Sequence, residues 1–126
     1  MKAILTGQVL YSYEDELLER DSFADLGAHF SGVAPFHRHK GEIALSAEKL
    51  FIGGDEILEF PLGTIEQLYL GFDEAFPRTL AKNMGLFWQP LRLSLSDGNK
   101  LYLIIDYNIL GTSNQIWFER LKELLS

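Results

Sequence analysis

The chain has 126 residues, 47% of them hydrophobic, and no cysteine. That length suits one domain with a core of its own, and the missing thiols exclude disulfides, zinc–thiolate centres and cysteine nucleophiles. Eighteen acidic against eleven basic residues give a net charge of −7, which opposes binding to nucleic acid and to anionic membrane surfaces.

Met1–Gly7 begins like a secretion signal, but Thr6, Gly7 and Gln8 interrupt the apolar run at once, and no stretch approaches the ~18 apolar residues of a membrane span. A cytoplasmic protein is expected. Residues 3–11 have the β-branched and aromatic content of a strand. Glu14–Arg20 reads as a short acidic helix, with six acids and one base between Glu14 and Asp25. The plain reading is a solvated face with Glu16 and Arg20 paired at i,i+4; the sharper one is an acidic patch for a basic partner or hard cation. Residues 27–36 read as a strand or loop ending at Pro35.

From Gly41 the pattern is clear. Ile43 and Leu45 alternate with polar or small residues, residues 46–49 turn, and residues 50–52 return. Gly53-Gly54-Asp55 turns again, and Ile57–Phe60 is a further strand stopped by Pro61. Ile65 leads into Leu68, Leu70 and Phe72, which alternate at period two. Phe76–Gly85 carries Pro77, Arg78, Lys82 and Asn83 and reads as a long loop. Pro90 beside Trp88 suggests a bulge or the start of an edge strand. Leu91, Leu93 and Leu95 alternate with Arg92, Ser94 and Ser96; Asp97-Gly98 is a hairpin turn; Leu101, Leu103 and Ile105 continue on one side, opposite Tyr102, Ile104 and Asp106. Thr112–Ser126 reads as an amphipathic helix. Thr112 and Gln115 have capping-box spacing, and Trp117, Leu121, Leu124 and Leu125 form one stripe with Phe118 beside it. So short a helix is marginal alone and must pack on the strands.

Two segments carry a family likeness. Gly41–Ile52 is similar to a "G-x-L-x-L-T-x-x-x-L-x-F" hairpin, and Phe60–Ile65 to an "I-P-L-x-x-I" segment preceding a strand. Followed by the Asp97-Gly98 hairpin and a Trp117-bearing helix, this order resembles the pleckstrin-homology-like superfold, and within it the GRAM-like and bacterial PH-like domains. The resemblance covers residues 28–126 and implies a mainly β domain: a partly open barrel of two antiparallel sheets capped by the C-terminal helix. Residues 1–27 then form an N-terminal extension packed on that domain. Members of the superfold bind phosphoinositides, peptides or partner proteins, and fold alone does not choose among these.

The residues offer several sites. Phe72, Phe76, Phe87 and Trp88 flank the long loop; they either anchor it on the core or form an apolar patch for a protein partner or a second copy, rimmed by Arg78 and Lys82. His37, Arg38, His39 and Lys40 are the concentrated cations, and the resemblance puts them in a loop that often holds a headgroup phosphate. Glu42 and Glu48, however, stand where lipid-binding members carry further bases. His37 and His39, at i,i+2, could combine with His29 as a metal triad, but no acidic residue has convincing ligand spacing. There is no nucleophile elbow and no phosphate-binding glycine loop, and Gly53-Gly54 is explained by its turn. A barrel holding an apolar ligand would need a cavity, whereas the dense leucines suggest a filled core. The expectation is a non-enzymatic PH-like interaction module without cofactor or metal. It would bind a protein partner or itself, with anionic-lipid or phosphate binding through Phe36–Lys40 as the alternative.

Overall fold

The computed structural model describes residues 2–19, 35–81, 85–108 and 110–126. Among them, strand β1 (Leu5–Tyr13) runs into helix α1 (Glu14–Leu18). Strands β2 (His39–Leu45), β3 (Lys49–Gly54), β4 (Ile57–Pro61), β5 (Ile65–Leu70), β6 (Leu91–Leu95) and β7 (Lys100–Ile105) follow, and helix α2 (Asn114–Leu125) closes the chain. The fold is mainly β: seven antiparallel strands in the order β4-β3-β2-β1-β7-β6-β5 curl into a half-barrel with a C-terminal helix. The two expected sheets are continuous through β1, which pairs with β2 along residues 5–11 and with β7 along residues 9–13. Thus β1, from the segment read as an extension, is a central strand.

Alternation places Val9, Tyr11, Ile43, Leu45, Leu50 and Ile52 on the inner face of one half, and the odd-numbered leucines of β6 and β7 on the inner face of the other. Burying one such side chain is worth roughly 1.5–3 kcal/mol. In β5, Ile65 and Leu68 both pack on this core although three residues apart, a spacing that sends side chains to opposite faces of a regular strand. A register shift between Ile65 and Gln67 reconciles them. The strand then stops at Leu70. The Gly71 N–H donates to the Pro90 carbonyl at 3.0 Å, so Phe72 leaves the expected alternation and turns to the other side of the sheet.

That other side is the main departure from the sequence pattern. Tyr102 and Ile104, opposite the inner leucines, are as buried as they are. Leu17 of α1, Phe76 and Leu80 cover them in a second hydrophobic cluster, with Leu10, Phe36, Phe72, Trp88 and Tyr107 packed around it. β7 is therefore buried on both faces.

α2 seals the half-barrel with Trp117 and Leu121 fully buried and Phe118 and Leu124 partly so, as the stripe predicts, whereas Leu125, its last member, is exposed in the final turn. Its start differs from the expected capping box. The Thr112 hydroxyl does accept the Asn114 N–H at 3.2 Å, but Ser113 is the N-cap, and Gln115 donates forward to Glu119 rather than reaching back. Buried Asn114 does the anchoring. It accepts the Ile105 N–H at 2.8 Å and donates to the carbonyls of Leu103 at 3.0 Å and Gln89 at 2.6 Å. Among the described residues no helix is long and apolar enough to cross a membrane.

Candidate functional site

β2 begins at His39, whose register partner on β1 is Tyr11. The imidazole stacks on the Tyr11 ring at 4.9 Å between centroids and meets Tyr13 edge-on at 5.7 Å. Its Nδ1 lies 2.6 Å from the Asp55 carboxylate and its Nε2 2.8 Å from that of Glu16, while Glu56 stands 3.7 Å from Nδ1. Two carboxylate acceptors at opposite ring nitrogens are both satisfied only when both nitrogens carry hydrogen, which makes His39 an imidazolium. Burial opposes that charge, but the hydrogen bonds to Asp55 and Glu16 and the nearby charges of Glu16 and Glu56 outweigh it and raise the His39 pKa. Asp55 is correspondingly lowered, first by its bond to His39. Glu56 accepts the hydroxyls of Tyr11 at 2.8 Å and Tyr13 at 3.3 Å. Burial and then the charge of Glu56 push Tyr13 up to about 12.

The concentrated cations thus stand among carboxylates. A depression of about 830 Å³ on the outer face of β1–β3 is lined by Arg38 and Lys40 but also by Glu42 and Asp55. The Lys40 N–H donates to Asp55, and Arg38 lies over the Phe36 ring at 5.7 Å. An anion entering here meets Glu42 and Asp55 as well as the bases, which weakens the phosphate reading. His37 donates Nδ1–H to the Pro35 carbonyl at 2.8 Å, and His29 lies outside the described residues. Among the described residues no group of three or more His, Cys, Asp or Glu side chains is placed to hold a metal ion. The expected Glu16–Arg20 pair also falls outside, and Glu16 is engaged by His39 and by the Tyr13 N–H at 2.9 Å.

The long-loop aromatics divide. Phe76 is only 1% exposed and stacks on Tyr102, with ring centroids 6.1 Å apart. Phe72 and Trp88 are half-buried against it, and Arg78 lies over the Phe72 ring at 5.1 Å. These three rings anchor the loop. Asp73 fixes its start by accepting the Phe76 N–H at 2.9 Å, Arg92 at 2.8 Å and the Tyr102 hydroxyl at 2.7 Å. Phe87 alone of the four faces outward, 58% exposed. Lys82 lies outside the described residues.

Phe87 has apolar company that the sequence did not single out. Leu86 is 80% and Leu110 82% exposed, and Ile116, in the first turn of α2, is also exposed. The two segments meet: a Cβ on Gly111 would come within 3.2 Å of the Phe87 carbonyl, and the Asn114 amide holds Gln89. The available signal was adjacency, since Leu86 precedes Phe87 and Leu110 precedes the helix-start motif. Pairing the segments required the fold. No protein-family model matches the chain, and no curated protein matches its sequence.

Proposed function

We propose that the chain is a non-enzymatic interaction module of the pleckstrin-homology-like type, acting in the cytoplasm, that docks a partner protein on the apolar surface of Leu86, Phe87 and Leu110. The observation that carries this reading is the display of three large apolar side chains where the segment after Gly85 meets the turn before α2. The curled half-barrel closed by a helix supports the resemblance. The net charge of −7 favours a partner whose apolar patch is rimmed by cations over a second, equally acidic copy. Affinity then resides in apolar contact, so it survives high salt while association slows.

A photo-crosslinking side chain at Leu110 tests this in the producing cell. A discrete protein adduct that persists at high salt and disappears with Phe87→Ser, in a variant that retains wild-type circular dichroism, is the expected result. An adduct unchanged by Phe87→Ser refutes the site. An adduct only between copies of the chain, confirmed by sedimentation, replaces the partner with self-association. Sedimentation with anionic vesicles that Arg38→Glu abolishes would favour the phosphate alternative instead.

A further inference from the structure

The His39 cluster joins four elements that chain order keeps apart: β1 through Tyr11 and Tyr13, α1 through Glu16, β2 through His39 itself, and the β3–β4 turn through Asp55 and Glu56. Its charge arithmetic is lopsided. Three carboxylates converge on one imidazole ring, and both tyrosine hydroxyls in the cluster donate to Glu56, so neither can donate to Glu16 or Asp55. With the ring protonated, each nitrogen donates to a carboxylate. With the ring neutral, one nitrogen lone pair points at a carboxylate oxygen less than 3 Å away, and three like charges remain around a side chain only 17% exposed. The neutral state repels what the charged state holds. Of the strands and helix that the cluster joins, α1 is the shortest. It is five residues long, and Leu17 is its one fully buried side chain. A helix this short has no stability of its own.

We propose that His39 is a pH-operated latch: protonated, it pins α1 and the β3–β4 turn to the end of the half-barrel, and on deprotonation it releases α1 and, with it, Leu17 from the second hydrophobic cluster. The raised pKa puts release on the alkaline side. The latch is fully closed below the ordinary histidine pKa of ~6.5 and opens as pH rises through the higher value of the folded state. The bases nearest the cluster do not take over the role. The Lys40 side chain lies on the opposite side of β2 from His39, and Lys100 pairs with Glu14 at the other side of α1. The inference stands apart from the docking surface, since neither its groups nor its readout includes Leu86, Phe87 or Leu110.

The test uses the whole chain. The His39 midpoint is read from its ring proton shifts in an NMR titration, and the protection of the α1 amides is read by hydrogen exchange at pH 6 and pH 9, corrected for intrinsic rates. The expected result is a midpoint above ~6.5 and a fall in α1 protection of roughly tenfold or more across that range, the scale of losing charge-assisted hydrogen bonds. The amides of β6 should be unaffected. His39→Gln should show low α1 protection at both pH values. Should that variant fail to fold, Glu16→Gln must lower the His39 midpoint and reduce α1 protection at pH 6. A midpoint at or below the ordinary value, or α1 protection that is the same at both pH values in the wild type, overturns the latch.

Discussion

Asn114→Asp changes one buried atom from donor to acceptor and nearly nothing else. The native side chain is 1% exposed; its oxygen takes the Ile105 N–H, and its NH₂ serves the Leu103 and Gln89 carbonyls at 3.0 and 2.6 Å. A carboxylate keeps the first bond and turns the other two into contacts between acceptors. Each buried polar group left without its partner costs about 1–3 kcal/mol, and more where a charge is involved. The expected loss is therefore about 3–5 kcal/mol out of the ~5–15 kcal/mol typical of a domain. For a chain of this length that corresponds to about 4 °C of melting temperature per kcal/mol, hence a drop of at least about 12 °C. Protonation gives the side chain one donor back, so the deficit should shrink as pH falls toward 5. Urea unfolding at pH 5 and pH 8, with Asn114→Ala as the neutral reference, measures both effects. A loss below about 1 kcal/mol, or no pH dependence, would mean that Asn114 does not tie α2 to β7 and the Gln89 segment.

Two further substitutions probe the frame around the sites. A Cβ on Gly54 would strike the Lys40 carbonyl and approach the Gly41 Cα to 2.7 Å, backbone that cannot rotate away, whereas Gly63 faces open space. Gly54→Ala should lose about 1–3 kcal/mol, and Gly63→Ala should stay within about 0.5 kcal/mol, both read from denaturant midpoints. For Asp73, burial works against the charge, but the Phe76 N–H, the Tyr102 hydroxyl and Arg92 together prevail and lower its pKa. Its stabilisation is therefore present above the ordinary carboxylate value of ~3.9 and lost as pH falls through the folded value. Asp73→Asn should be less stable at pH 7 and should flatten the acid limb of the stability curve; an acid limb identical to wild type would refute this.

Local patterning carried the strands and the closing helix because each leucine alternation and the Trp117 stripe is complete within one segment. What it missed depended on segments distant in the chain. Leu101–Ile105 is apolar at every position, the mark of a strand covered on both sides, yet nothing nearby names α1 and the long loop as the cover. His39 reads locally as one cation in a basic run. Only the fold brings Glu16, Asp55 and Glu56 to it from both directions, so that this one member of the run is met by carboxylates. At the helix start, Thr112 and Gln115 had the spacing of a cap, but the residue that mattered was Asn114, whose partners lie on β7 and beside Gln89.

The same two-sided burial decides where a partner could dock. Because Tyr102 is covered by Phe76, exposing Phe76 would open the second hydrophobic cluster, so that ring cannot serve a reversible contact at small cost. Phe87 and Trp88 are neighbours in sequence with opposite fates. Trp88 packs edge-on against Phe76 and Tyr107, with ring centroids 6.1 Å away in each case, while Phe87 is left outside. Leu86 and Phe87 lie in a bend and are both exposed, whereas Trp88 after them is held inward by its ring contacts. A substitution at Trp88 therefore confounds docking with folding, whereas Phe87→Ser removes apolar surface that the core does not use. The difference between those two variants separates the proposed docking from general destabilisation: Phe87→Ser loses the partner at unchanged melting temperature, and Trp88→Ser loses both.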